Sequence, residues 1–214
     1  KLLVDFPWND DHENWPHYHD MFEIECNYML LIDNLMDLTH IPYIHRNTIG
    51  GGDQKGQVDA TMDVTPTDTG VHYIRWMEGI VPPPTYIKGA GFSEDTLVDR
   101  WQEFEYVVPS SVLQWTGALE AGRGAKDDRE QADGFNLRLY HGVTPKTETS
   151  CYYFWTPLNG YKPKDEAATK TLHKEIAFTF NEDLEFLESQ QACMAASIKD
   201  TFINIKHDVA RLPA

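Results

Sequence analysis

Two histidines, His40 and His45, stand close to an aspartate and an asparagine, Asp37 and Asn34, in the run NYMLLIDNLMDLTHIPYIH at 27–45. Met29, Leu30, Leu31, Ile32, Leu35, Met36 and Leu38 make that run apolar on nearly every side of a helix, the pattern of a buried one. Asn34, Asp37 and His40 recur at every third residue, so a continuous helix would carry them as a narrow polar stripe in an apolar setting. A carboxylate and an imidazole buried there need partners, because desolvation without them is costly. Two arrangements supply partners: an Asp37–His40 hydrogen-bonded pair, or a metal ion bound by imidazole with the carboxylate in support. Pro42 disfavours helical geometry at Ile41 and breaks the helix, which lets the chain return His45 towards His40. That convergence favours a metal, although spacing alone leaves both arrangements open.

The elements that must position these groups follow from periodicity. A helical pattern runs from about Tyr28 to Ile44, and Gly50, Gly51 and Gly52 then mark a turn. No Lys-Ser/Thr pair follows the glycines and no strand precedes them, so a phosphate cradle is not indicated. Segments at 57–65, 70–78, 98–108, 111–119, 135–143 and 149–156 are dense in β-branched and aromatic residues and read as strands. The first twenty residues read as an irregular lead-in, and 122–134 as an exposed, mobile loop. From about Lys164 to the end the pattern is helical again, as two helices with a break. Central strands with helices at both ends predict an α+β layout, an antiparallel sheet packed by helices.

Composition narrows the function classes. A chain of 214 residues with 41% hydrophobic residues can bury a real core. With 18 Lys plus Arg against 34 Asp plus Glu, the net charge of −16 disfavours nucleic acid and anionic membranes as partners. No apolar run is long enough for a membrane span, and acidic residues interrupt the start too early for a signal peptide. Cys26, Cys151 and Cys193 form no CxxC pair, which fits a reducing, cytoplasmic setting and excludes a cysteine-held cluster of ordinary spacing.

The run Asn34-x-x-Asp37-x-x-His40-x-x-x-x-His45 resembles the mononuclear-iron motif of Rieske non-haem iron oxygenase α-subunits. The longer stretch NYMLLIDNLMDLTHIPYIHRNTIGG resembles the vanillate O-demethylase branch, and the likeness continues through VDRWQEFEY, LRLYHGVTPKTETSCYYFW and FNEDLEFLESQQ. The resemblance implies a helix-grip (START/Bet v 1-like) fold, with a curved antiparallel sheet, flanking helices and a long C-terminal helix. It implies one Fe(2+) ion held by His40, His45 and Asp183, a 2-His-1-carboxylate set. Asp37 would bridge His40 to a neighbouring subunit's Rieske cluster, Asn34 would lie near the iron, and His141 would face the substrate. Residues 1–214 would be the mononuclear-iron catalytic domain. The [2Fe–2S] cluster would belong to an N-terminal Rieske domain absent from this chain, since no cysteine here is followed by histidine at C-x-H or C-x-x-H spacing.

The residues also admit plainer readings. Asn181 could cap a helix and Asp183 could simply favour its first turn, although periodicity groups Asp183 with Leu187, Gln190 and Met194 on one face. His141 could be a satisfied core histidine. The activity implied is oxidative O- or N-demethylation of a small aromatic substrate, with O₂ and NAD(P)H-derived electrons from a reductase or ferredoxin, in a homotrimer. A ring-hydroxylating dioxygenase with the same iron site is one alternative, and a non-catalytic hydrophobic-ligand module is another. The vanillate-type likeness implies an aromatic methoxy-acid, for which Arg46, Arg75, Arg100 and Arg138 are candidate counter-charges.

Overall fold

The computed structural model describes residues 4–51, 54–131 and 133–196. Strands β1 (Asp20–Ile24), β2 (Thr61–Thr67), β3 (Gly70–Ile80), β4 (Val98–Val107), β5 (Ser111–Glu120), β6 (Phe135–Thr147) and β7 (Ser150–Asn159) form one sheet. Their order is β1-β7-β6-β5-β4-β3-β2, with every pairing antiparallel. The helices are α1 (Tyr28–Met36), α2 (Ile41–Ile44), α3 (Gln54–Val58), α4 (Pro84–Ala90) and α5 (Glu166–Ala196). Among the described residues no helix is long and apolar enough to cross a membrane.

Side-chain alternation gives the sheet one buried face. Val71, Tyr73, Arg75 and Met77 on β3 point inward, and the register Arg75↔Gln102, Gln102↔Thr116, Thr116↔Leu137 carries that face across four strands. The long helix α5 covers it with a stripe at helical spacing: Thr169, Leu172, Ile176, Phe180, Asp183 and Leu187 are all buried. Phe180 meets Trp155 edge-on at 5.3 Å and Tyr153 at 5.2 Å. Fully burying side chains of this size contributes roughly 1.5–3 kcal/mol each, so helix and sheet are held by their shared apolar surface.

Several expectations need correction. The helix expected over 28–44 stops at Met36, because Asp37 takes an extended backbone (φ −106, ψ 103). Pro42 does not break it; Pro42 sits in the first turn of α2, where its missing N–H costs nothing. Asn34, Asp37 and His40 therefore do not share one helical face. Residues 57 and 58, read as strand, belong to α3, and β2 begins at Thr61. α5 runs unbroken to Ala196; the rest of the expected helical stretch, 197–214, lies outside the described residues. Asn181 is mid-helix, its side chain donating to the Ala177 carbonyl at 2.7 Å, so it caps nothing. Strand β1 and helix α4 go unread in the sequence, although proline opening α4 and Gly91 at φ 85 closing it are a recognisable pair of signals. The 122–134 loop is largely exposed, yet Arg129 pairs with Glu103 and Glu130 with Arg138, tying it to the sheet.

Candidate metal centre

The short segment between α1 and α2 builds the site. Asn27 caps α1 by accepting from the Met29 N–H at 2.9 Å, and Leu31, Ile32 and Leu35 anchor the helix in the core. Where the helix ends, the Asp37 carboxylate accepts the Thr39 N–H at 2.8 Å, a local turn that swings His40 to the start of α2. One turn of helix later comes His45, its N–H donating to the Ile41 carbonyl at 3.1 Å. Gly50 donates to the His45 carbonyl at 2.8 Å and lies so close to the Ile41 carbonyl that a Cβ would collide with it. Gly50 is thus more than the plain turn residue of the sequence reading, because only glycine lets the loop close beneath the histidines; Gly52 lies outside the described residues.

From the opposite side α5 supplies Asp183, which is 6% exposed. His45 Nε2 lies 3.1 Å and His40 Nε2 3.6 Å from Asp183 Oδ1, and one ligand atom from each residue fits within 4.8 Å of the others. Donors bound facially to one ion at about 2.1 Å sit about 3 Å apart, so the cluster is near the size a small divalent cation requires. The rings of His40 and His45 are nearly perpendicular, 72° with centroids 5.2 Å apart. Asn34 Nδ2 donates to Asp183 Oδ1 at 3.2 Å, which brings Asn34 into the same group.

Glu182 and Thr48 complete the arrangement, and sequence reasoning passed over both. Glu182 Oε2 meets His45 Nδ1 at 2.9 Å and accepts the Thr48 hydroxyl at 2.9 Å. A carboxylate on the far nitrogen of an imidazole fixes its tautomer and aims its other lone pair, the support a ligating histidine needs. The available signal was the adjacent acid pair Glu182-Asp183, since neighbouring residues on a helix can face one histidine from two directions. Burial acts to lower the His45 pKa, but Asp183 and Glu182 outweigh it and hold the group above its ordinary value. Burial dominates at His40 and lowers its pKa, with Asp183 opposing and His45 adding to the depression. Two imidazoles, one carboxylate and a supporting acid form a donor set suited to Fe(II), Zn(II) or similar ions.

A cleft of about 490 Å³ opens beside His40, between Met36, Asp37, Ile44, Met62 and Arg75. Asp37 lines this cleft, but its carboxylate is given to the Thr39 N–H, and His40 interacts with the Asp37 backbone. His141 lies elsewhere on the inner face of β6, 1% exposed and stacked against Tyr153. Its Nδ1 is 2.6 Å from the Tyr153 hydroxyl and its Nε2 3.0 Å from Gln114 Oε1, while burial drives its pKa down to about 3. Phe180, one turn of α5 before Asp183, touches the same ring at 5.8 Å.

The comparisons with known proteins bear on this geometry. A family model described as "Vanillate O-demethylase oxygenase C-terminal domain" matches residues 24–214. The vanillate O-demethylase oxygenase subunit of a Pseudomonas sp. is 36% identical over 198 residues, covering 91% of this chain and 59% of that protein. The oxygenase component of dicamba O-demethylase from Stenotrophomonas maltophilia is 31% identical over 139 residues, covering 62% of this chain and 36% of that protein. The crystal structure of dicamba monooxygenase bound to 3,6-dichlorosalicylic acid shares the fold with a TM-score of 0.87 at 23% identity, over 98% of this chain and 59% of that one. The chain thus spans less than two thirds of the length of each of these relatives.

Proposed function

The chain belongs to the vanillate O-demethylase oxygenase C-terminal domain family, and from that premise we propose that it is the mononuclear-iron catalytic domain of a Rieske-type monooxygenase. The observation that carries the reading is the convergence of His40, His45 and Asp183, brought together from two separated segments onto one small volume. Fe(II) held there supplies activation of dioxygen and oxidation of a substrate C–H bond. The reaction proposed is oxidative O- or N-demethylation of a small aromatic compound, as the demethylase names of the relatives support.

The residues divide the work by position. Glu182 accepts the Nδ1 proton of His45 and leaves Nε2 free to ligate. Asn34 donates to Asp183 Oδ1 and so orients the carboxylate. Met36, Ile44 and Met62 give the cleft an apolar wall, which admits an aromatic ring and excludes water from the face that His40 shares with it. Asp37, half-buried at the start of the segment that carries His40, is proposed to relay an electron from a [2Fe–2S] cluster held outside this chain. That route implies a Rieske domain, a reductase or ferredoxin fed by NAD(P)H, and a homotrimer in the cytoplasm. His141, whose neutral ring Gln114 and Tyr153 fix on the inner face of the sheet, is proposed to face the substrate.

The test is product analysis with the domain joined to a Rieske donor, reductase and 3-methoxybenzoate. Formaldehyde released in step with substrate loss supports demethylation. A ring diol without formaldehyde supports the dioxygenase, and no turnover with no iron bound supports a ligand-binding module.

A further inference from the structure

Two buried arginines of the sheet have no acidic partner among the described residues. Arg75 on β3 and Arg100 on β4 project from the inner face and are 8% and 1% exposed. Among the described residues neither forms an ion pair, whereas Arg129 and Arg138 both do. Arg138 shows how this chain treats a structural buried arginine: it lies between the rings of Trp8 and Trp15, each centroid 5.0 Å away, and is paired with Glu130. Arg46 is exposed.

The unpaired two are held, not neutralised. Arg75 Nη1 donates to Gln102 Oε1 at 3.2 Å and Nη2 to the Gln57 carbonyl oxygen, which fixes the guanidinium plane and leaves N–H groups to give. Arg100 donates from Nε to the Tyr86 hydroxyl at 3.2 Å and lies 4.8 Å from that ring's centroid, while its Nη1 is buried with no hydrogen-bond partner. Burial and the charge of Arg100 bring the Arg75 pKa down to about 10, against weaker support from Tyr73 and Asp37. Asp37 shares the cleft but already accepts the Thr39 N–H. Two buried guanidinia with no carboxylate are costly unless an anion arrives to meet them. Arg75 is the one of the pair that lines the cleft beside His40.

We propose that Arg75, backed by Arg100, is the residue that selects an organic anion for this cleft, pairing with its carboxylate or sulfonate while the apolar wall takes the ring. The assignment rests on the oxygenase reading only in taking this cleft as the substrate site. With a net charge of −16 the chain repels anions at long range, so selection has to come from a local, desolvated positive charge. A guanidinium fork suits that task better than an ammonium, because it meets a carboxylate with two parallel hydrogen bonds.

Calorimetric titration of the chain with 3-methoxybenzoate and with 3-methoxybenzamide, matched in shape and different in charge, tests the assignment. The wild type should bind the anion about tenfold tighter or more. Arg75→Gln should abolish that preference and leave amide affinity unchanged, and Arg75→Lys should retain part of it. Equal binding of both compounds by the wild type, binding of neither, or a folded Arg75→Gln chain weakened equally for both overturns the assignment. Should Arg75→Gln fail to fold, Arg75→Lys carries the comparison, and an undiminished anion preference there overturns the role of the fork. Iron uptake measured on the same samples separates the two readings. Iron bound without anion preference removes Arg75 alone, and anion preference without iron keeps Arg75 and removes the oxygenase.

Discussion

His45 is gripped from both sides by consecutive acids of α5: its Nδ1 faces Glu182 at 2.9 Å and its Nε2 faces Asp183 at 3.1 Å. A single helix thereby sets the tautomer of one imidazole and supplies the oxygen beside its free nitrogen. Glu182→Ala should weaken metal binding about 10–100-fold while leaving the chain folded. Competitive titration with Co(II) and a chelator measures this; unchanged affinity would show that the Glu182 contact does not support a ligand.

The stripe that seats α5 also fixes where Asp183 points. Leu187, one turn on, is fully buried. Truncation by Leu187→Ala should cost about 2–5 kcal/mol, read as a lower urea midpoint. A shift well under 1 kcal/mol, about the floor for losing buried methylenes, would mean that the α5–sheet contact is not what holds the helix.

A conservative substitution at Asp37 separates two roles that an alanine there would confuse. Asp37→Asn keeps an oxygen to accept the Thr39 N–H, so the turn before His40 should persist and iron should stay bound. Turnover with a Rieske donor should nevertheless fall by orders of magnitude if the carboxylate carries the electron. Retained turnover in the iron-loaded variant would remove Asp37 from the electron route.

His141 gives the chain an acid-sensitive core. Its folded-state pKa of about 3 lies below the ordinary 6.5, so between those values the unfolded chain binds the proton that the folded chain refuses. The contribution to stability is whole above pH 6.5 and drains away as the pH falls towards 3, by on the order of a few kcal/mol in total. Comparing urea stability from pH 7 to pH 4 in wild type and His141→Gln should show a flatter acid limb in the variant. Parallel curves would place the acid sensitivity elsewhere.

The sequence disclosed which side chains converge better than how the backbone brings them together. The strands from Gly70 to Asn159 were legible because β-branched and aromatic residues alternate across a half-buried sheet. Asp183 shares a buried stripe with Leu187, as helical spacing requires. The break at Asp37 was not legible, because a carboxylate that caps a local turn reads in sequence like one more polar residue on a helix. Glu182 lies off the buried stripe, so helical spacing does not single it out, yet a partly exposed side chain can still reach a buried histidine from the edge. Four arginines were equivalent in sequence; burial sets Arg75 and Arg100 apart from Arg46, and the lack of a carboxylate partner among the described residues sets them apart from Arg138.

His40, His45 and Asp183 are proposed to hold one iron. Anaerobic Fe(II) titration of the wild-type chain and of His40→Ala, with folding checked by circular dichroism, tests it directly. About one iron should bind per wild-type chain and be lost in the variant. A folded wild type that takes up no iron, or a variant that binds iron as well as the wild type, would contradict it.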